Sequence, residues 1–291
     1  MQRRNVYLEA FRFHQKARNL SPATIRVAGE SLGQFLAAHD PTTATKQEVQ
    51  RYLSGLAARC RPATVWTAWR HLVAFYKWLH EEGDIAVNPM HGIPRPIVPP
   101  TEVGVLTAAE TVSLVAACDG AGRDDRRDMA IITMMLDTGM RLAEVTALAT
   151  EDVGEDYSIR VFGKGRKFRT VRLGPTATRS LARWMRVRGQ QPGPLWSGRR
   201  GALGRTGVAR IVKRRGRLAG LVVHPHMLRH TFVDRWLRAG GSAVDLARLC
   251  GWTSSRMADR YARLHADERA LDAHMRVLPL DSALTDVVPR N

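Results

Sequence analysis

A proline-rich segment divides the chain into two parts with different sequence patterns. Residues 93–100 read Ile-Pro-Arg-Pro-Ile-Val-Pro-Pro. Four prolines so close together hold the backbone extended and interrupt a helix, because proline fixes φ and lacks an N–H. The chain has 291 residues, enough for two hydrophobic cores. We therefore expect a helical domain at 1–93, a linker at 94–103 and a second domain at 104–291.

The first part has a helical pattern throughout. Ser21 before Pro22 predicts a helix start, Thr45 with Glu48 forms a capping box, and Pro62 predicts the start of a third helix. The apolar residues of this third helix recur at helical spacing and predict its buried face, which comprises Trp66, Trp69, Leu72, Val73, Tyr76 and Leu79.

The second part contains both helical and strand-like patterns of apolar residues. Thr107 with Glu110 makes another capping box, and a buried helix is expected from Met129 to Asp137. Apolar and polar side chains alternate in residues 157–162 and again in residues 168–173. A glycine-containing turn separates the two segments, which predicts a β-hairpin. Helices are expected to resume at Pro175, Arg205, His226, Ser242 and Ser254. The predicted fold class is mainly α with a small β-hairpin or sheet (α+β).

The charge of the chain predicts a polyanionic partner. The net charge is +18 and the isoelectric point is about 11.0. Basic residues outnumber acidic ones on both sides of the proline-rich segment, which favours a folded surface that contacts nucleic acid over a basic tail. The sequence has no long apolar span or signal peptide, and its three cysteines are scattered. We therefore expect a cytoplasmic protein without membrane association, disulfide framework or metal site.

Four ordered segments in the second part carry the chemistry. They are Thr138-Gly-Met-Arg-Leu-Ala-Glu144, Gly163-Lys-Gly-Arg-Lys-Phe-Arg169, His226-Met-Leu-Arg-His230, and Leu249-Cys-Gly-Trp252 followed by Tyr261. Each segment alone is a weak signal, but the ordered set resembles the motifs of the tyrosine recombinase (phage integrase) family. Residues 20–25 and Asn88-Pro89 resemble that family's helical, SAM-like core-binding domain, so the resemblance covers nearly the whole chain.

The resemblance implies a site for attack on a DNA phosphodiester. Tyr261 would be the nucleophile, and the remaining catalytic residues would be Arg141, Lys164, His226, Arg229 and Trp252. The chemistry fits, because two guanidiniums can hold the non-bridging oxygens as negative charge develops on them. Trp252 stands where many family members carry histidine, so we expect it to pack and to donate one hydrogen bond.

The remaining assignments separate the catalytic groups from their neighbours. His226 is the candidate base, and Lys164 is the candidate acid for the departing 5′ oxygen. Lys167 is a rival for that role because it belongs to the same predicted hairpin. Two supporting residues are expected: Glu144 would orient Arg141, and His230 would buttress the helix. Tyr157 and Tyr76 are expected to be core residues and not nucleophiles.

The function implied by the resemblance is site-specific DNA recombination. A 3′-phosphotyrosine intermediate would conserve the bond energy, so no cofactor or metal is implied. The expected assembly is a homotetramer on two double-stranded DNA sites that exchange strands through a Holliday junction, with an accessory DNA-bending protein as a possible partner. The compact chain is expected to lack an arm-binding domain. The tryptophan at position 252 favours integration and excision of a phage or mobile element.

Several alternatives stay open on sequence grounds. Xer-type chromosome dimer resolution and a type IB topoisomerase use the same chemistry, and a non-catalytic DNA-binding protein would share the charge. A metal-dependent nuclease or transposase would need acidic pairs, which exist at Asp124-Asp125 and Glu151-Asp152. Apolar residues between Leu278 and Val288 are expected to dock on a neighbouring protomer. The C-terminal tails would then be exchanged between successive protomers of a ring.

Overall fold

The protein forms two compact units. The computed structural model describes residues 2–99, 104–163, 168–189, 191–252, 270–271 and 274–275. The units are Met1–Thr101 and Glu102–Asn291. Several predictions fall outside the described residues, namely those for Lys164, Lys167, the helix at Ser254, Tyr261 and the apolar tail.

The first unit is a helical bundle. Its helices are α1 (Gln2–Ala17), α2 (Pro22–Leu36), α3 (Lys46–Ala57) and α4 (Pro62–Glu81). The predicted starts are confirmed: Ser21 Oγ accepts a hydrogen bond from the N–H of Thr24, and Thr45 and Glu48 form the capping box. The core side chains are fully or almost fully buried and include Leu32, Phe35, Leu72, Phe75, Tyr76 and Leu79.

The buried face of α4 is rotated from the predicted one. Val65, Ala68 and Phe75 are buried, whereas Trp66 and Trp69 are only half-buried. The prediction was wrong for Trp66 because its ring packs against cations instead of the core. The guanidiniums of Arg70 and Arg95 lie 4.9 and 5.4 Å from its centroid.

In its described residues, the second unit is mainly helical with two short antiparallel ribbons. Its helices are α5 (Ala108–Ala116), α6 (Arg123–Thr138), α7 (Leu142–Ala147), α8 (Pro175–Arg188), α9 (Arg205–Leu218), α10 (Pro225–Arg238) and α11 (Ala243–Cys250). Its strands are β1 (Ile159–Phe162), β2 (Phe168–Val171), β3 (Ser197–Gly198) and β4 (Gly201–Ala202). The predicted fold class is confirmed.

Strands β1 and β2 form the predicted hairpin, but they are shorter than the alternating pattern. Ile159 pairs with Val171, and Phe162 pairs with Phe168. The expectation that strand structure begins at Tyr157 was wrong, because Tyr157 adopts a positive φ of 58° and lies in a turn.

Helix α6 forms the centre of the second core. Its fully buried residues Ile131, Ile132 and Met134 belong to a cluster that also includes Trp184 of α8 and Leu228 of α10. A smaller apolar cluster joins α10 to α11. The end of α6, the first turns of α10 and the end of α11 therefore come together at one place. No helix among the described residues is long and apolar enough to cross a membrane.

Candidate active site

Arg141 lies at the turn between α6 and α7. Helix α6 ends at Thr138, and Gly139 adopts the left-handed conformation that this end requires. The chain then turns so that Arg141 is the N-cap of α7. Its backbone N–H donates to Glu144 Oε2 at 2.8 Å and its Nη1 donates to Glu144 Oε1 at 2.9 Å. Glu144 thereby fixes both the backbone and the guanidinium of Arg141.

Arg229 lies on α10 with only 3% of its surface exposed. Its Nη1 donates to the carbonyl of Gly139 at 2.5 Å, and its Nη2 donates to the carbonyl of Cys250 at 3.0 Å. Nη2 of Arg141 donates to the next carbonyl, that of Gly251, at 3.2 Å. The two arginines therefore meet at the C-terminal end of α11.

His226 and His230 lie one helical turn apart on α10. Their rings are in edge-to-face contact, with centroids 4.1 Å apart. His230 is buried, whereas His226 is exposed. Atoms packed around part of the His226 ring lower its pKa, and the charges of Arg229 and His224 lower it further. This environment favours the neutral imidazole, which is the form that accepts a proton.

Trp252 packs against the buried arginine. The guanidinium of Arg229 lies 5.3 Å from the centroid of the indole. This contact is a cation–π interaction. It holds Trp252, which follows the end of α11, beside Arg229, the candidate for binding the phosphate.

One cleft is lined by three of these side chains. It has a volume of about 550 Å³ and is lined in part by Arg141, His226 and Arg229. Arg205 and Lys213 of α9 also line it, although the sequence analysis did not single them out. They lie two helical turns apart on α9, with Ala209 between them, so the spacing of basic residues around a small one is a signal that could have identified this face.

Arg169 is a further functional candidate that the sequence analysis missed. Its Nη1 and Nη2 donate to the two oxygens of Glu144, and its Nε donates to the carbonyl of Leu249. The available signal was its position in β2, because it lies two residues before buried Val171 and so faces the same side of the strand.

The acidic pairs that a metal-dependent enzyme would need have structural partners. Asp124 accepts a hydrogen bond from Arg127, and Asp125 forms an ion pair with Arg215. Asp152 accepts from the backbone N–H of Ala149 at the start of a short 3₁₀ turn.

Comparison with known proteins identifies the class to which this fold and site belong. Residues 104–268 match the phage integrase family, and residues 7–83 match the N-terminal SAM-like domain of phage integrases. The family match over more than half of the chain shows that the chain belongs to the phage integrase family. It is a tyrosine recombinase, an enzyme of site-specific DNA recombination.

Individual relatives align with most of the chain. Tyrosine recombinase XerC of Pelobacter propionicus is 30% identical over 89% of this chain and 91% of its own length. XerC of Chromobacterium violaceum is 31% identical, covering 81% of this chain and 80% of that protein.

Solved structures share the fold. A lambda integrase dimer bound to a COC′ core site has a TM-score of 0.74 and 17% identity, over 88% of this chain and 94% of that one. XerA recombinase has a TM-score of 0.53 and 25% identity, over 94% of this chain and 98% of that one.

Proposed function

We propose that this recombinase cleaves and rejoins double-stranded DNA through a covalent 3′-phosphotyrosine at Tyr261. One observation carries the proposal: Arg141, Arg229 and His226 line the same cleft. Two guanidiniums and an imidazole are the groups needed to hold a phosphate and to accept the proton of a phenol.

The proposed roles follow from charge and proton transfer. Arg141 and Arg229 bind the non-bridging oxygens and stabilise the charge that they gain in the transition state. The Tyr261 phenol, with a reference pKa of about 10, gives its proton to neutral His226 as its oxygen attacks phosphorus. The bond to the 5′ oxygen breaks, and Lys164 supplies the proton that this oxygen takes. The new phosphodiester keeps the bond energy for rejoining.

Glu144, His230 and Trp252 have supporting roles in this proposal. Glu144 orients Arg141, His230 supports the ring of His226, and Trp252 packs on Arg229 and donates to the phosphate. The observed contacts of the three side chains support these roles.

DNA is the proposed partner, and the net charge of +18 supports this proposal. A structural relative, lambda integrase, is solved as a tetramer bound to a Holliday junction. We extend this arrangement to the present chain as a homotetramer on two recombination sites, with a DNA-bending accessory protein as a further partner. We propose the domain roles expected from the sequence: residues 1–93 bind the core site, residues 94–103 form the linker, and residues 104–291 carry catalysis.

The biological role proposed is integration and excision of a phage or mobile element, which the tryptophan at position 252 favours. Xer-type chromosome dimer resolution is the second candidate, and the XerC relatives that align with most of the chain favour it. Sequencing the genomic DNA that the enzyme traps covalently separates the two roles. Trapped sites at the ends of the element that carries the gene indicate integration, whereas one chromosomal site shared by strains without the element indicates dimer resolution.

A plasmid with two copies of the trapped site tests recombination itself. The wild-type enzyme should produce recombinant circles, and Tyr261→Phe should bind the site without producing them. Tyr157→Phe is the matched control and should recombine normally. Relaxed plasmid without recombinants would contradict the proposal in favour of a topoisomerase, and activity in Tyr261→Phe would contradict the assigned nucleophile.

A further inference from the structure

Arg169 binds two separate parts of the candidate active site with one guanidinium. Its Nη1 and Nη2 donate to Glu144 Oε1 and Oε2 at 3.1 and 2.9 Å, and its Nε donates to the carbonyl of Leu249 at 2.8 Å. The side chain is only 14% exposed. A paired contact of this kind fixes the carboxylate in one orientation, because both oxygens are held by a rigid planar fork.

Glu144 shares its carboxylate between Arg169 and Arg141. Each of its two oxygens accepts one hydrogen bond from Arg169 and one from Arg141, and the Glu144 side chain is 6% exposed. Burial alone raises the pKa of Glu144, but the bonds from Arg169 and from the Arg141 backbone outweigh it and the pKa is lowered. The buried carboxylate is therefore fully bonded without taking further donors from Arg141.

The Leu249 carbonyl belongs to a second shared feature, the C-terminal end of α11. Three arginines donate to three successive carbonyls there: Arg169 to Leu249, Arg229 to Cys250 and Arg141 to Gly251. The last carbonyls of a helix lack partners within it and carry partial negative charge, so cations bind them well. Arg169 therefore links β2 to the helix end that leads to Trp252.

We propose that Arg169 is a positioning residue for recombination, which holds Glu144 and the end of α11 so that the guanidinium of Arg141 faces the cleft. The inference rests on the proposed function, because it assumes that Arg141 binds the reacting phosphate. Without Arg169, Glu144 loses two of its four hydrogen bonds in a buried place. The carboxylate then attracts the remaining donors of Arg141 and turns them away from the phosphate.

The test measures single-turnover formation of the covalent adduct on a nicked DNA substrate, with DNA affinity measured separately. Arg169→Ala should form adduct about 100-fold more slowly, as expected for a misplaced catalytic group, while binding DNA within about twofold of wild type. Added guanidinium ion should restore part of the rate by occupying the vacated space, whereas urea, which is similar in shape but uncharged, should not.

Two further variants separate positioning from folding. Arg169→Lys keeps the charge but not the fork, so it should also be slow while remaining folded. In a Glu144→Gln background, Arg169→Ala should slow adduct formation much less than in the wild type, because the contact between the two side chains is already weakened. Arg172→Ala is the matched control, an exposed arginine three residues along the chain, and should cleave at the wild-type rate.

Three results would overturn the proposal. They are a wild-type rate in Arg169→Lys, equal rescue by urea and guanidinium, or full additivity with Glu144→Gln. A wild-type enzyme that forms no adduct would instead contradict the proposed function, so the two failures are distinguishable.

Discussion

His226 lies among groups that oppose its protonation. The side chain is exposed at one side, but the atoms packed around the rest of its ring lower its pKa, and the charges of Arg229, His224 and Arg141 act in the same direction. The ring is held against His230, which limits its movement. A histidine that stays neutral to a lower pH than usual can accept the tyrosine proton over a wider pH range.

The rate of adduct formation should therefore depend on pH in one direction. The neutral base is present above its pKa, so the rate should be level at neutral pH and fall as the pH drops, with an inflection below the ordinary value of 6.5. Single-turnover rates across pH measure this, and His226→Gln should lower the plateau and remove the inflection. An inflection above 6.5, or one retained in His226→Gln, would contradict the role of His226 as base.

The end of α6 is the element that brings the two arginines together. Gly139 has a φ of 59°, and its carbonyl accepts a hydrogen bond from Arg229. A Cβ at this position would overlap the ring of Phe232 on α10. The backbone conformation and the close packing of α10 therefore both require glycine.

Gly139→Ala should destabilise the protein by about 2 kcal/mol, from the left-handed conformation together with the overlap. Gly220→Ala is the matched control. Gly220 also has a positive φ, of 72°, but no heavy atom beyond its chain neighbours lies within 4 Å of a Cβ added there. Gly220→Ala should lower the free energy of unfolding by about 1 kcal/mol or less. Urea unfolding measures the stability of both variants. Equal losses of stability would show that contact with Phe232 adds nothing.

The start of α6 depends on a buried ion-pair cluster. Asp128 is 0% exposed and accepts hydrogen bonds from Arg127, Arg214 and Arg215. Two of these arginines belong to α9, so the cluster joins α6 to α9, and α9 carries basic residues that line the cleft.

Asp128→Asn should destabilise the second unit by about 3 kcal/mol, because it removes the buried charge that three arginines share. Arg127 and Arg215 keep only their outer acidic partners, Asp124 and Asp125. Asp124→Asn is the control: Asp124 is 51% exposed and pairs with Arg127, so it should cost less than about 1 kcal/mol. Hydrogen exchange of peptides from α6 and α9 should localise the effect. Unchanged exchange in Asp128→Asn would contradict a structural role for the cluster.

The same cluster shows which features the sequence could not predict. The capping boxes and the hairpin were predictable because their signals lie within a few residues of one another. The start of α6 at Arg123 instead of Met129 was not predictable. Its charged first turns show no apolar stripe, and the α9 arginines that bind Asp125 and Asp128 lie more than 80 residues away. Arg169 was missed for the same reason: its bonds to Glu144 and Leu249 join distant segments.

At the scale of the whole molecule, two units with separate cores share a strongly basic character. Both have counterparts in the phage integrase family, and the second carries the arginines and histidines of the candidate site. The net charge of +18 provides long-range attraction to a polyanion, and the cleft brings together the side chains proposed to act on the phosphate. At this scale, we propose that a basic two-unit protein attacks DNA with its own tyrosine.

Identification of the protein–DNA bond tests this claim most directly. The wild-type enzyme would be incubated with a nicked DNA substrate in excess metal chelator, and the adduct would be digested and mapped by mass spectrometry. The account predicts a nucleotide joined through its 3′ phosphate to the peptide that contains Tyr261, formed at an undiminished rate in chelator. Attachment at another residue, at the 5′ end, or only in the presence of added metal would contradict it.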